Sequence, residues 1–351
     1  METKRSLGRK VMINLYTDKT LLTPANRPHV HPLLFDLHYY EHADPIVQQH
    51  YCLVDAPSQA DAFILPLNYL AVNQDAAFYL LRKAAKEHNK KLHIYTGGDY
   101  GKTFKEPDIV TWRNAGFKSS NSLQTIIVPA FMSDPIASGR VPFKVHEFKS
   151  RPAISFTGFA TASLRETARV HLATFKANVK RVLQLDQSDV QKSFNAAGKR
   201  VKYLKALEAS NALETHFIYR DTYRAGAKTP LALEQTTQAF FDNINSTPYT
   251  FCMRGAGNFS VRFYEALACG RVPVLVDTDV VLPLESRIPW NSHICRIQPN
   301  KDIVACLLAF NQQFDAVSFK RLQESNRALY EQTLLRHHYF CAVHNLLKTN
   351  V

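Results

Sequence analysis

Three side chains stand close together in the stretch "TFCMRGAGNFSVRFYEALACGRVPVLVDTD" (250–279): Arg254, Arg262 and Glu265. A glycine turn containing Gly255 and Gly257 separates the first from the other two. Each guanidinium group can fork onto two oxygens of a diphosphate. The turn feeds the start of a helix, where free backbone N–H groups and the helix dipole favour an anion. The glycines let the backbone approach that anion or take positive φ. Asn258 and Ser260 lie in the same turn and are counted among its anion ligands. Glu265, three residues beyond Arg262 on one helix face, suits sugar hydroxyls such as those of a nucleotide ribose. An exposed Arg262–Glu265 pair by itself would contribute only about 0.3–0.5 kcal/mol. A ligand carrying a diphosphate gives a better reason for the arrangement.

Those groups need a strand before the turn and another after the helix. "PYTFCM" and "RVPVLVD" read as those strands, "FSVRFYEALAC" as the helix and Gly270 as its stop. Upstream, "VMINLY" (11–16), "DAFILPL" (61–67), "KLHIYT" (91–96) and "TIIVPA" (125–130) read as buried parallel strands. "DAAFYLLRKAAKEH" (75–88) has the spacing of a crossover helix. Periodicity is lost over 133–152, where proline, glycine and serine cluster. It resumes with a strand at 153–159, a helix at 163–179 capped by Ser163, a strand at 216–220 and a helix at 233–244. A last strand (293–298) and helices at 301–311 and 315–335 follow. Two successive β/α runs predict an α/β protein of two doubly wound domains, with ligands at the carboxyl ends of the strands. The expected ranges are 1–148, 149–314 and a C-terminal helical segment, 315–351, returning toward the first domain.

The 351 residues are 46% hydrophobic and 21% charged, the profile of a folded chain. The longest apolar runs, such as "IVACLLAF" (303–310), fall short of the roughly 20 residues a membrane helix needs. The opening residues have no apolar signal segment, so a cytoplasmic protein is expected. Six scattered cysteines are expected to be free thiols, and fourteen histidines without ligand spacing predict no metal site. The formal charge of +13 favours anionic partners. Residues 176–205 hold eight basic residues against two acids, a solvated face or a contact for an acceptor or an anionic membrane surface. No RNA-binding aromatic signature or helix-turn-helix spacing points to nucleic acid.

"GAGNFS" also approaches the dinucleotide fingerprint, with Asp277 about 20 residues on as the ribose acid. Ser260 stands where the third glycine belongs, and a dinucleotide needs no flanking arginines, so an NAD-dependent dehydrogenase is the weaker reading. A non-catalytic, basic polysaccharide-binding protein is the other alternative.

"RGAGNFSVRFYEALACGRVPVLVDTDVVLPLESRIPW" (254–290) resembles the core of the exostosin family of glycosyltransferases. The family pattern is an R-G turn followed by S-x-R-x-x-E-A-L-x-x-G-x-x-P-V. The likeness extends in order through "DAPSQADAFILPLNY" (55–69), "YTGGDYG" (95–101), "IIVPAFMSDP" (126–135) and "RPAISFTGFATASLRETAR" (151–169). Cys252-Met253 stands where many relatives have Cys-Pro, and Leu284 replaces a usual Phe.

The resemblance implies a GT-B fold, two Rossmann-like domains facing across a cleft. It implies inverting transfer from a nucleotide-sugar donor, a UDP-sugar by preference, without metal or other cofactor. Arg254 and Arg262 would clamp the donor diphosphate, Glu265 would hold the ribose or sugar, and Gly158 and Arg165 would complete the phosphate wall. The acceptor would be a glycan, glycoprotein or lipid-linked saccharide. Inverting transfer needs a general base in the N-terminal domain. Asp99, in the loop "TGGDYG" after a strand, is the first candidate, followed by His31, Asp134 and Glu41.

Overall fold

The computed structural model describes residues 12–39 and 45–348. Its first sheet is parallel throughout: β1 (Ile13–Tyr16), β2 (Tyr51–Leu53), β3 (Ala62–Ile64), β4 (Leu92–Tyr95), β5 (Ile109–Arg113) and β6 (Thr125–Ile127). In space the order is β2-β1-β3-β4-β5-β6. The second sheet, also parallel, holds β7 (Ala153–Phe159), β8 (Glu214–Arg220), β9 (Tyr249–Cys252), β10 (Val272–Val276) and β11 (Cys295–Ile297). Its order is β8-β7-β9-β10-β11, the same winding as the first five strands of its partner. In each sheet the chain lays its second strand outside its first and then reverses direction. A crevice opens at that reversal, between β1 and β3 and again between β7 and β9.

Helices α1 (Pro32–His38), α2 (Pro45–Gln48) and α3 (Asp75–Glu87) accompany the first sheet. The second half carries α4 (Leu164–Val182), α5 (Ala196–Glu208), α6 (Pro230–Asn245), α7 (Val261–Ala268), α8 (Ile303–Asn311), α9 (Ala316–Leu329) and α10 (Arg336–Lys348). No strand or helix interrupts residues 128–152. Two parallel Rossmann-like sheets, each flanked by helices and joined by that segment, form the GT-B arrangement.

Local chemistry explains the boundaries that the sequence signalled. Ser163 caps α4, its hydroxyl accepting from the Glu166 amide at 3.4 Å. Gly270 ends α7 at φ 68°, with its amide on Leu267 and that of Arg271 on Ala266. That pair of bonds is the Schellman closure, and the positive φ requires glycine. Two strands carried no clear signal. β2 has three residues, and β5 reads "IVTWR" with Thr111 and Arg113 buried among its apolar members.

The hydrophobic core does not respect the two sheets. One cluster joins Leu15 and Trp112 of the first to Phe263, Tyr264 and Trp290 of the second half. α10 belongs to the same cluster through Tyr339, Phe340 and Val343. It is tied by Tyr51 Oη donating to Phe340 O and Tyr339 Oη donating to Ile127 O, each at 2.7 Å. A π-helical turn, Tyr330–Leu334, separates α9 from α10 where the chain crosses back to the first sheet. A second cluster fills the other sheet, from Phe156 and Phe251 to Leu307 and Phe319.

Candidate active site

At the carboxyl end of β7 and β9, where the second sheet reverses, a cleft of about 990 Å³ opens between the two halves. Five arginines line it; Arg169 and Arg181 of α4 are paired with Glu166 and Asp186, and three more come from three other elements: Arg200 of α5, Arg220 at the end of β8 and Arg262 in the first turn of α7. All three are partly buried. Each spends donors on backbone carbonyls: Arg200 on Phe159 (3.1 Å) and Arg254 (3.0 Å), Arg220 on Thr236 (2.8 Å) and Arg262 on Thr157 (2.6 Å). Among the described residues none of the three is in a salt bridge with a carboxylate. The Nε atoms of Arg200 and Arg262, and the Thr157 hydroxyl, are buried with no hydrogen-bond partner among the described residues.

Burial pushes the Arg200 guanidinium down to about 10, and the neighbouring charge of Arg262 adds to that. Arg262 is lowered by burial too, with Cys252 and Glu265 opposing and Arg220 reinforcing the shift. Burial also lowers Arg220. At neutral pH all three remain cationic. Gathering unneutralised cations out of water costs free energy unless something anionic completes them. A diphosphate meets that need, since each fork can take two of its oxygens.

Six of the residues singled out in the sequence line this cleft: Gly158, Gly255, Ser260, Arg262, Glu265 and Asp99. Gly158 takes φ 159°, and a Cβ there would lie 2.8 Å from Arg262 Nη2. Ser260 sits at the N-cap of α7 without capping it through its side chain.

The remaining expectations need correction. Arg254 is 4% exposed and folds beneath the turn, between the Phe117 and Phe194 rings, with Nη2 on Ala256 O at 2.6 Å. Burial pushes it down to about 10, against the pull of Tyr100 and Asp99. It braces the turn from behind and is not among the cleft's lining residues. Neither Gly255 nor Gly257 takes positive φ. Gly257 is small because the first domain presses on it: a Cβ would come within 2.5 Å of Asp99 O. Asn258 is a cross-link between domains, its Nδ2 on Gly116 O (2.9 Å) and Asp279 O (3.0 Å), its Oδ1 held by Thr278. Arg165 is exposed and does not line the cleft; Arg169, one turn on, does, held by Glu166 at 2.6 Å. Asp277 is occupied by Arg296 Nε at 2.9 Å and the Val280 amide at 3.1 Å. It is not free to receive the ribose of a dinucleotide, which removes the main support for a dehydrogenase.

The base candidates separate as clearly. Asp99 and Tyr100 are the first-domain residues in the cleft lining, and Asp99 is exposed there. His31 is 0% exposed, packed edge-on against Tyr95 and Trp112, with Nδ1 accepting from the Leu33 amide at 3.2 Å. Burial pushes it down to about 3, helped by His93, so it is a neutral core histidine and not a base in the cleft. Asp134 is locked to Arg327 of α9 at 2.7 Å and does not line the cleft. Glu41 lies outside the described residues.

Arg200 and Arg220 escaped the sequence reading although both were in view. Arg220 ends the strand "HFIYR", and a charge at the carboxyl end of a parallel strand is a ligand signal. Arg200 was hidden in the basic stretch 176–205. The fold divides that stretch: Arg181, Lys192 and Arg200 turn into the cleft, while Lys176 and Lys180 face outward.

The chain matches no family model and no curated protein. Among solved structures it is similar to an α1,3-fucosyltransferase, 10% identical, over 100% of this chain and 94% of that one, with a TM-score of 0.36. It is also similar to an α-glucosyltransferase in complex with UDP-glucose and DNA containing an abasic site (10% identical, 86% of each chain, TM-score 0.35). A third is Anabaena HepE in complex with UDP-glucose (8% identical, 97% of this chain and 100% of that one, TM-score 0.36). The GT-B assignment rests on this chain's own strand order.

Proposed function

We propose that this protein is a glycosyltransferase that moves a sugar from a nucleoside-diphosphate sugar, UDP-linked by preference, to a hydroxyl of a glycan or glycoconjugate. The observation that carries the reading is the trio Arg200, Arg220 and Arg262, partly buried at the reversal of the second sheet with no salt bridge to a carboxylate among the described residues. The resemblance of residues 254–290 to the exostosin core supports it. The second domain binds the donor and the first presents the acceptor. As the anomeric C–O bond breaks, the electron pair leaves with the nucleoside diphosphate, and the guanidinium groups take up the growing charge. They serve in place of a divalent cation. Glu265, on the same wall, binds ribose or sugar hydroxyls. Asp99 accepts the proton of the attacking hydroxyl, and a single displacement inverts the anomeric centre.

The test is ligand-induced stabilisation in the presence of a chelator. UDP at 100 times its dissociation constant should raise the stability of the wild-type protein by about 2.7 kcal/mol. Arg262→Ala should lose most of that shift; an undiminished shift would show the diphosphate to lie elsewhere. Asp99→Asn should keep the shift and lose turnover with whichever of a panel of UDP- and GDP-sugars is consumed. NMR of the product reports the anomer, and a retained configuration would overturn the single displacement.

A further inference from the structure

The two faces of α4 meet different surroundings. One face, through Val170, Ala173, Thr174, Ala177 and Arg181, lines the cleft. The other carries Leu172, Phe175, Val179, Val182 and Leu183, which are between 42% and 71% exposed. Their spacing of three, four, three and one residues sets them in a stripe along the helix. Leu185 prolongs it into the following loop, 75% exposed. Large aliphatic and aromatic side chains rarely form so continuous an uncovered strip in water.

Cations run beside the stripe on the same helix: Arg165, Arg169, Lys176 and Lys180, all exposed. The one acid of α4, Glu166, is tied to Arg169. An apolar strip edged by ammonium and guanidinium groups matches an anionic bilayer, where the acyl boundary takes the strip and headgroup phosphates take the cations. A second copy of this chain would set its own cations against the row, and the formal charge of +13 opposes such pairing. No described helix is long and apolar enough to cross a membrane, so the contact is made by lying on the surface.

We propose that the outward face of α4, with the loop as far as Leu185, docks the protein on an anionic phospholipid surface. The cleft then opens one helix diameter, about 10 Å, from the lipid. On the glycosyltransferase reading of the cleft, an acceptor anchored in that surface is the one within reach; the docking itself does not depend on that reading.

Co-sedimentation of the full chain with phosphatidylcholine vesicles, with and without phosphatidylglycerol, tests the proposal. Binding is expected to the anionic vesicles alone and to weaken with added salt. Neutralising Lys176 and Lys180 to Gln should weaken it about fivefold per lysine, and Leu172→Ser with Phe175→Ser should abolish it. None of these four residues lines the cleft or is buried, so the far-UV circular dichroism and urea midpoint of every variant should match wild type and certify the fold. Wild-type protein that ignores both vesicle types, or variants that bind as well as wild type, would overturn the docking surface while leaving the proposed reaction intact. So would a wild-type dimer in sedimentation velocity that the Leu172 and Phe175 changes dissociate.

Discussion

Arg262 reaches the Thr157 carbonyl because the next residue along β7 has no side chain. A methyl group at position 158 would stand 2.8 Å from its Nη2 and 3.3 Å from the Phe156 ring. The clashing atom is the tip of a flexible side chain, so the guanidinium swings away while the strand holds. Residue 158 also takes φ 159°, which a side chain strains, so Gly158→Ala is expected to lower the thermal midpoint and to weaken UDP binding roughly tenfold, the loss of one charge-assisted contact. Isothermal titration checks it, and an unaltered dissociation constant would detach Gly158 from the anion site. At this scale the sequence named residue types correctly more often than roles. Arginines, glycines and an asparagine in one turn drew attention to the stretch that borders the cleft. Yet Arg254 Nη2 and Asn258 Nδ2 are spent on backbone carbonyls, because a turn pressed between two domains must satisfy backbone groups of its own and of its neighbours.

At the scale of elements, the loop between α4 and α5 holds the first domain's share of the cleft in place. Asp189 accepts from the Thr103 amide (3.0 Å), the Thr103 hydroxyl (2.7 Å) and Arg113 Nη1 (3.2 Å), while its own amide bonds Gly101 O. Residues 99–103 are thereby fixed against the second domain, with Asp99 at the cleft. The Arg113 side chain is 4% exposed, so removing its partner leaves a buried cation. Asp189→Ala should cost about 1–3 kcal/mol in urea unfolding, less than a fully buried pair because Asp189 is partly open to water. It should lower kcat more than it raises the donor dissociation constant, since Arg200, Arg220 and Arg262 are untouched. Equal effects on both would mean that the loop acts on the donor site itself. β5, which supplies Arg113, was illegible in the sequence for a related reason: its buried cation is balanced by a residue 76 positions away.

Across the whole molecule, burial of titratable groups sets how the fold answers acid. His31 and His93 are pushed down to about 3 and His146 to about 4, each chiefly by burial. His31 Nδ1 accepts from Leu33 and His93 Nδ1 from Trp112 Nε1, bonds that only the unprotonated ring can make. An unfolded histidine binds its proton near pH 6.5. Above that pH these groups contribute their full stability. Between about 6.5 and 3 the unfolded chain binds more protons, and stability is lost as the pH falls. Urea unfolding should give a smaller free energy at pH 5 than at pH 7.5, and the loss should be smaller in His31→Met. In wild type, NMR signals of His31 and His93 should not titrate across that range; titration near pH 6.5 would contradict their burial.

The order of most strands, the start of α4, the stop of α7 and the place of the glycine turn follow from hydrophobic period, caps and glycine. These are properties of neighbours in the chain, and they were legible before any packing was known. The winding of both sheets into the same order and the orientation of each charged side chain were settled only by tertiary structure. Arg200 and Lys199 are adjacent in sequence, yet Arg200 faces the cleft and Lys199 is exposed outside its lining. Composition cannot separate them, because what distinguishes two cations is which side of the helix the distant sheet covers.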